Sequence, residues 1–468
     1  MNCDIEFVYL PSTVAEAKQK VELMIAADGK DLPDIIVNVP MEDSSILRYG
    51  SRGFIKSLNQ YYDNSAYYLN DVLKAETNLK DMITMADGNI YVIPRYQKIL
   101  QNELGYRMWI YKPWLEKLNL SEPKTLDEFY NVLKAFKEKD PNGNGLADEI
   151  PFIGATSGGE NWFCDFIAAA FQPIDIQSNY LYPENGKIKA AYVEPEYKEA
   201  LKYLNKLCTE GLLSPSSFTS DGAQTRQTIQ NPSGVQVGCF TSMAPTYLIN
   251  ATDRAEGYDI LAPLTQDNGT GYAVYGASIP TNSFFITKNC QYPEAAFRLG
   301  DIMMSEEMSI WNRFGKKGTD WVEPEEGDHG MFESMGYKAK IKPILAWGSP
   351  QNSHWQQGAP AYRGYELACA TVDSGSNIYE TRIAEHLQSY LDKKPKEYIT
   401  KIIYTEDEIN AINEIQQNIT SYRKDSVARF IIGDWDIESG WEDYLKEIKA
   451  IGVDEMLDIV QKAYDRCN

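Results

Sequence analysis

The stretch with the clearest local chemistry is Asp140-Pro141-Asn142-Gly143-Asn144-Gly145-Leu146-Ala147-Asp148-Glu149-Ile150-Pro151. Oxygen-bearing side chains stand at positions 1, 3, 5 and 9, with glycine at position 6, as in the front of an EF-hand calcium loop. Position 7 would offer a backbone carbonyl, whereas Pro151 replaces the bidentate glutamate of position 12. The predicted ion is a structural Ca²⁺, and its predicted ligands are Asp140, Asn142, Asn144, Leu146, Asp148 and Glu149. The alternative is a metal-free turn rich in Asn, Asp and Gly.

The segments on either side of this loop alternate between strand and helix patterns. A capping box formed by Thr125 and Glu128 predicts a helix that ends directly before the loop. The predicted strands are Ile5–Leu10, Pro33–Val37, Ile90–Pro94 and Arg107–Tyr111. The predicted helices are Val14–Ala27, Leu126–Lys139, Tyr197–Glu210, Pro293–Met304, Thr405–Tyr422, Gly440–Ile451 and Glu455–Arg466. This alternation indicates an α/β fold, in which Gly315–Gly364 is an ordered loop lying over a surface.

Length and charge narrow the class of protein. The chain has 468 residues, which is too many for one hydrophobic core, because cores stop growing at about 250–300 residues. Two lobes are therefore expected. The 45 basic and 67 acidic residues give a net charge of -22, which disfavours nucleic acid as a partner. No apolar run approaches the ~18 residues of a membrane-spanning helix.

Cysteines and histidines carry no sign of a catalytic or zinc site. The seven cysteines are widely spread without a Cys-x-x-Cys pair, and the three histidines have no ligand spacing. So many thiols are unusual in an exported aerobic protein, so they indicate an anaerobic source or a cytosolic protein. The start of the sequence shows no signal peptide, which indicates either a cytosolic protein or a leader that has been removed.

Further motifs accompany the calcium-type loop in a fixed order. They are Leu32–Ile36, Trp114–Leu118, Thr125–Phe129, Pro293–Ala296, Phe430–Gly433, Trp441–Tyr444 and Ala463–Arg466. Together with the loop, these motifs resemble family 1 extracellular solute-binding proteins of Gram-positive bacteria, and among them the large calcium-containing oligosaccharide receptors. The resemblance spans almost the whole chain.

The resemblance implies a fold and a function. The fold is the type II periplasmic-binding-protein fold, with two α/β lobes joined by a hinge. The predicted N-terminal lobe is 1–105 plus 277–325, and the predicted C-terminal lobe is 106–276 plus 326–468. The implied function is that of a receptor that closes on a carbohydrate, of the oligosaccharide class, and delivers it to the membrane permease of an ABC importer without catalysis. The implied form is a monomeric cell-surface lipoprotein whose leader is absent from this sequence.

Aromatic residues suggest where a sugar would bind. The chain has 31 Tyr and 9 Trp, whose rings have an apolar face for sugar C–H groups and a polar edge. The residues predicted to line the cleft lie at strand ends, in the long loop or beside glycine pairs; they are Tyr96, Trp162, Thr241, Ser242, Tyr275, Trp347 and Trp355. For each of them a core or surface role is the alternative.

The competing function is that of a glycosidase with two paired carboxylates. Because 67 acidic residues always provide some suitable pair, composition gives this alternative no support. The sequence has no nucleophile elbow, phosphate loop or His-based site. A surface adhesin would predict internal repeats, and none is visible.

Overall fold

The computed structural model describes residues 4–245, 249, 252–344, 351–355, 358–372 and 378–467. The helices in this part of the chain are α1 (Val14–Ala26), α2 (Asp43–Ser51), α3 (Asn59–Asn64), α4 (Tyr68–Ala75), α5 (Leu79–Ile83), α6 (Leu100–Glu103), α7 (Lys112–Lys117), α8 (Leu126–Glu138), α9 (Phe163–Ala168), α10 (Pro195–Thr209), α11 (Gly222–Ile229), α12 (Thr252–Gly257), α13 (Pro293–Met303), α14 (Glu306–Phe314), α15 (Tyr365–Ala368), α16 (Ile378–Leu391), α17 (Glu406–Ile432), α18 (Ile437–Ile451) and α19 (Val453–Cys467). The strands are β1 (Ile35–Val37), β2 (Ile93–Gln97), β3 (Arg107–Tyr111), β4 (Ile150–Ile153), β5 (Leu181–Glu184), β6 (Lys187–Ala190), β7 (Val237–Ser242), β8 (Tyr258–Leu261), β9 (Thr281–Ile286), β10 (Trp321–Val322), β11 (Lys342–Pro343) and β12 (Ala361–Arg363).

Two four-stranded sheets define the two lobes of the fold. The first sheet has the order β1-β9-β2-β12, and the second has the order β4-β7-β3-β8. In each sheet the central strands are antiparallel and one edge strand pairs in parallel, β12 with β2 and β4 with β7. The remaining pairs are β10 with β11 and the hairpin of β5 and β6. This arrangement confirms the α/β, two-lobed prediction.

Each lobe has its own hydrophobic core. The core of the first lobe packs α1 to α5 and α13 against the first sheet. Alternate side chains of β3 supply the two cores of the second lobe, since Met108 and Ile110 face one core and Trp109 faces the other. The C-terminal helices α17 and α18 pack against α10, and α19 packs against α17 and β6, so that these helices close the larger of the two cores.

The backbone passes between the sheets more than once. It leaves the first sheet after β2, returns to it before β9, and leaves it again after β12. Because β12 pairs with β2, Ala361–Arg363 belongs to the first sheet, although the predicted boundaries place 326–468 in the C-terminal lobe. Strand β12 has only three residues and lies within the Gly-, Pro- and aromatic-rich region, so no strand pattern marks it in the sequence.

Most helices were predicted correctly and two strands were not. The capping box of α8 is confirmed, with Glu128 N donating to Thr125 Oγ1 and Thr125 N donating to the Glu128 carboxylate. The predicted strand Ile5–Leu10 is wrong, because these residues pair with no neighbouring strand and their apolar side chains are largely exposed. The strand predicted at Ile90–Pro94 lies three residues further on, as β2.

No described helix is both long and apolar enough to cross a membrane. The six described cysteines, Cys164, Cys208, Cys239, Cys290, Cys369 and Cys467, form no disulfide with one another.

Candidate functional site

The lobes enclose a cavity of about 500 Å³. On the first lobe, the wall is Pro40–Ser44, which comes after β1 and includes the first two residues of α2. The opposite wall comes from Gln177–Asn179 and from Ile399–Ile402 of the second lobe. Residues of the returning backbone, Ile279–Asn282, complete the lining. Because both lobes contribute walls, opening or closing of the lobes would change the shape of this cavity.

A smaller cavity of about 190 Å³ lies beside it, where the backbone leaves the first sheet. Arg95 and Gln97 of β2 line one side, and Glu103 of α6 lines another. Gln177 belongs to the lining of both cavities and also hydrogen-bonds to Tyr106. The two cavities are therefore neighbouring parts of one interlobe region.

Trp162 lines neither cavity, but Tyr106 connects it to Gln177, which both cavities share. Its half-buried ring meets Tyr106 edge to face, with ring centroids 4.6 Å apart. Gly159 lies against the same ring, since a Cβ there would be in ordinary van der Waals contact, 3.4 Å from the indole and 3.7 Å from Ser242 Cα. The indole is thus held by its neighbours and retains an exposed surface on which a sugar ring can stack.

Thr241 and Ser242 hold the turn that carries Trp162. They end β7 and are buried. Thr241 Oγ1 donates to the carbonyls of Gly159 and Glu160, both at 3.2 Å, and Ser242 Oγ donates to the Ala244 carbonyl at 2.9 Å. Their hydroxyls are therefore engaged by the protein itself.

Glu160, which the sequence analysis missed, is buried beneath the same turn. Its Oε1 lies 3.1 Å from Nε of Arg226, while its Oε2 has no hydrogen-bond partner among the described residues. The pair joins the turn to α11. A charged residue between a glycine pair and a tryptophan was visible in the sequence, but its burial was not.

Tyr96 and Tyr275 lie in packed surroundings. Tyr96 is buried on β2 with its ring stacked 6.5 Å from that of Tyr362, and burial raises its pKa. The hydroxyl of Tyr275 donates to Glu103 Oε2 at 3.2 Å, and its ring packs on Tyr398. Both rings join elements near the crossing between the sheets.

The two remaining predicted aromatics are in the long loop region. Trp355 has 54% of its surface exposed, and its carbonyl accepts a hydrogen bond from Gly358 N. A Cβ on Gly358 would lie 3.0 Å from Nδ2 of Asn38, which follows β1. Trp355 therefore lies next to the carboxyl end of a first-sheet strand. Trp347 lies outside the described residues.

The calcium-type loop forms a tight turn on the second lobe. Asp140 Oδ1 accepts hydrogen bonds from Gly143 N and Asn144 N, and its Oδ2 accepts one from Gly145 N at 3.1 Å. The side-chain amides of Asn142 and Asn144 donate to Asp148 at 2.8 and 3.0 Å. The turn thus draws its oxygen-bearing side chains toward a common centre.

The acidic groups of the loop differ in their electrostatics. Hydrogen bonds from Asn142 and Gln236 lower the pKa of Asp148, whereas burial, with smaller effects of Asp140 and Asp148, raises the pKa of Glu149. Glu149 Oε1 is buried and has no partner within the described part of the chain. No group of three or more His, Cys, Asp or Glu side chains among the described residues forms a metal site, so a cation here would also need amide and carbonyl oxygens. The loop oxygens and the unpartnered Oε1 of Glu149 fit such a cation.

Comparison with known families identifies the class of protein. Residues 2–309 match the family model of the bacterial extracellular solute-binding proteins. The chain belongs to this family. It is therefore a solute-binding protein and not an enzyme, which removes the glycosidase alternative.

Several relatives are similar along most of the chain. The fructooligosaccharide ABC transporter substrate-binding protein FusA of Streptococcus pneumoniae is 26% identical over 448 residues, which cover 93% of this chain and 80% of that protein. Lipoprotein LipO of Bacillus subtilis is 26% identical over 453 residues, covering 92% of this chain and 82% of that protein.

Solved structures show the same fold. FusA in complex with kestose superposes with a TM-score of 0.75 at 24% identity, covering 97% of this chain and 91% of that one. An extracellular solute-binding protein from Bifidobacterium longum subsp. infantis gives a TM-score of 0.79 at 22% identity, covering 97% and 90%. An EF-hand mutant of FusA, in complex with fructo-nystose, gives a TM-score of 0.74 at 23% identity, covering 97% and 91%.

Proposed function

We propose that this chain is an extracytoplasmic receptor that binds an oligosaccharide between its lobes and delivers it to the permease of an ABC importer. The observation that carries the proposal is the interlobe cavity of about 500 Å³, whose walls come from both lobes. The names of FusA and its kestose complex support an oligosaccharide as the ligand class. The half-buried indole of Trp162, whose neighbour Tyr106 hydrogen-bonds to the cavity residue Gln177, would provide a stacking platform.

Binding in such a cavity stabilises a closed arrangement of the lobes. A ligand that contacts both walls binds the closed form better than the open one, and this difference shifts the equilibrium. We place the moving halves at 1–105 plus 277–325 and at 106–276 plus 326–468, with β12 remaining on the first sheet. The permease then recognises the closed form.

We further propose that the loop at 140–151 binds Ca²⁺ and that the ion is structural. Asp140, Asn142, Asn144, the Leu146 carbonyl, Asp148 and Glu149 would hold it. A bound cation would supply positive charge to the half-buried Glu149 and fix the end of α8 relative to β4. The EF-hand named in the related FusA structure supports this assignment.

We also propose that the protein is anchored outside the cell as a lipoprotein and acts as a monomer. Membership of an extracellular family and the relative named lipoprotein LipO support the location. A monomeric receptor agrees with a binding site formed by two lobes of one chain.

A panel of oligosaccharides tests the proposal. Each sugar is incubated with the protein, and both the melting temperature and the products are measured. We expect at least one oligosaccharide to raise the melting temperature and to be recovered intact. If none binds, or if a bound sugar is cleaved, the proposed function is wrong.

A further inference from the structure

A third cavity, of about 220 Å³, adjoins the large interlobe cavity on the side of the second lobe. Asn179, Gln416 and Met456 line both cavities, so the two are neighbours. We call the third cavity the side pocket; its other lining residues are Ile176, Tyr180, Tyr192, Ile419, Thr420 and Arg423. Sites that hold a whole ligand usually measure about 300–1,000 Å³. The side pocket is smaller than these sites, and its size suits one unit of a chain that also occupies the interlobe cavity.

The turn at the junction of the two cavities has an unusual backbone. Asn179 and Tyr180 both have positive φ angles, 55° and 66°, in a region that a ring-bearing residue rarely adopts. The Asp175 carbonyl accepts a hydrogen bond from Tyr180 N at 2.7 Å, and the Asp175 carboxylate accepts two from Ser178, so the turn is held in this form. In this conformation Asn179 lines both cavities and Tyr180 lines the side pocket. Strain of this kind persists where the surrounding structure fixes it, and it is common at binding sites.

The charge of Arg423 in the side pocket is offset within the protein. Its guanidinium lies 3.7 Å from the centroid of the Tyr180 ring and hydrogen-bonds to Tyr197. Burial raises the pKa of the nearby Asp165 to about 6, against the charge of Arg423 and a hydrogen bond from Tyr180, so Asp165 is ionised at neutral pH. Because this carboxylate faces the positive charge of Arg423, the pocket favours an uncharged guest over an ionic one.

The lining has an apolar part that suits the C–H groups of a sugar. Ile176, Ile419 and Met456 provide aliphatic surface. Tyr180 and Tyr192 add aromatic rings, whose faces pack well on sugar C–H groups. A pocket with a large apolar surface and a few polar groups is typical of small-molecule sites.

Polar groups stand at the entrance from the interlobe cavity. The side-chain amides of Asn179 and Gln416 make no hydrogen bond to another described residue, and both residues line the junction. The half-buried guanidinium of Arg423 adds N–H donors to the pocket. Amides donate and accept hydrogen bonds, so they can bond to sugar hydroxyls in either sense.

We infer that the side pocket binds one uncharged sugar unit at the end of an oligosaccharide whose other units fill the interlobe cavity, so that the receptor selects its ligand by chain length. Hydroxyls of this unit would bond to the amides of Asn179 and Gln416, and its C–H groups would lie against the apolar lining. A shorter sugar would fill the interlobe cavity without making these contacts. This inference rests on the proposed oligosaccharide function and adds a specificity site to it.

Calorimetric titration with sugars of increasing length tests the inference. The ligands are neutral malto-, fructo- and manno-oligosaccharides of two to five units. In a series that binds, we expect one added unit to raise the affinity about tenfold or more, because it gains the contacts of the side pocket, and the other added units to change it less. Equal affinity at every length would overturn the inference.

A variant that fills the side pocket locates the added unit. Thr420→Trp places a large ring at an exposed position of α17 that lines the pocket. We expect this variant to lose most of the tenfold gain from the added unit and to bind the shorter sugars as the parent does. The control is Ser421→Trp, which places the same ring at the next exposed position of α17, outside the lining of the pocket. This control should keep the full gain.

Gln416→Ala gives a second measurement if Thr420→Trp does not fold, because it removes an amide at the junction without adding volume. It should reduce the gain from the added unit about threefold or more. If the folded variants keep the full gain, the added unit binds elsewhere and the inference fails, while the oligosaccharide function stands.

Two further outcomes separate the inference from the function. If none of these neutral series binds but another sugar of the panel does, the assignment of an uncharged chain is wrong and the receptor function stands. If no sugar of any kind binds, the proposed function itself fails.

Discussion

The ammonium group of Lys401 lies 2.8 Å from Oδ2 of Asp43 and joins the second lobe to the first residue of α2 in the first lobe. The same ammonium donates to the Met82 carbonyl at 2.6 Å. The Lys401 side chain is 12% exposed and that of Asp43 is 33% exposed. Both residues line the large interlobe cavity, so this contact depends on how far the lobes are apart.

Lys401→Met should therefore favour a more open protein. We expect a larger radius of gyration by small-angle X-ray scattering without ligand, and an oligosaccharide affinity lower by about two- to fivefold. The expected loss is small, because solvent screens a partly exposed ion pair to roughly 0.5–1 kcal/mol. The control is Lys198→Met, which breaks the 2.7 Å pair with Glu438 between α10 and α18 of the second lobe, where neither residue lines a cavity. Equal effects of the two substitutions would show that Lys401 has no role between the lobes.

Trp162→Ala should weaken oligosaccharide binding without unfolding the protein. The ring keeps an exposed surface and packs on Tyr106 at its edge. Loss of one stacking platform is expected to cost about tenfold in affinity, or ~1.4 kcal/mol, measured by calorimetric titration. Trp435→Ala is the control, since Trp435 is likewise half-buried and stacks on Phe430 of α17 with ring centroids 4.5 Å apart. That variant should lose stability and keep its affinity.

Removal of calcium should lower the melting temperature, and Glu149→Gln should separate metal binding from folding. Burial already raises the pKa of Glu149, so the metal-free fold gains nothing from its negative charge. In chelator, we expect the variant to melt at the same temperature as the parent or higher. Added Ca²⁺ should raise the melting temperature of the variant less than that of the parent. Differential scanning fluorimetry measures the melting temperatures, and elemental analysis measures the bound calcium.

The calcium assignment is wrong if elemental analysis finds no calcium in the parent protein and if neither chelator nor added Ca²⁺ changes its melting temperature. The same measurements with Mg²⁺ distinguish a selective site from a general charge effect, because Mg²⁺ demands a tighter octahedral arrangement.

Asp175 predicts a pH dependence of stability. Burial raises its pKa to about 6, although Ser178 donates two hydrogen bonds to the carboxylate. This pKa is above the unfolded value of about 3.9, so the protonated Asp175 carboxyl stabilises the folded protein. Its contribution to the free energy of unfolding is full below about pH 4 and is lost as the pH rises through 6. Asp175→Asn should therefore raise the free energy of unfolding at pH 7.5 by about 1–3 kcal/mol, and the gain should vanish near pH 4.

Denaturant unfolding at several pH values measures this effect. Asp436→Asn is the matched control of opposite sign, because hydrogen bonds from Ser439 at the start of α18 lower the pKa of Asp436. The ionised Asp436 carboxylate stabilises the folded protein at neutral pH, and this stabilisation is lost as the pH falls through its folded pKa. The Asp436→Asn variant should therefore be less stable than the parent at pH 7.5. A loss of stability in Asp175→Asn that is the same at every pH would contradict the prediction.

Local signals in the sequence predicted local structure well. The capping box at Thr125 gave the start of α8, and strand β3 was predicted to the residue. Pairing between distant segments was harder, because a strand is stable only with a neighbour. Ile5–Leu10 has a strand pattern without a partner, whereas Ala361–Arg363 has little pattern and finds its partner in β2.

Contacts between distant segments also limited how well the sequence predicted the residues of the site. The sequence predicts Tyr96, beside the end of a predicted strand, as a cleft residue, and does not predict its neighbour Arg95. Successive side chains on a strand point to opposite faces, so the two cannot both face one cavity. Tyr96 turned out to be buried on Tyr362, and Arg95 lines the small cavity.

The place of β12 in the first sheet has a consequence for biosynthesis. A ribosome makes β1 and β2 early, but the edge of their sheet stays uncovered until residue 363 has left the exit tunnel. By then the strands of the other sheet, the last of which ends at Leu261, have already been translated. Neither half can therefore be obtained intact by cutting the gene at one point, and a nascent chain stalled before β12 should be an easy target for proteases.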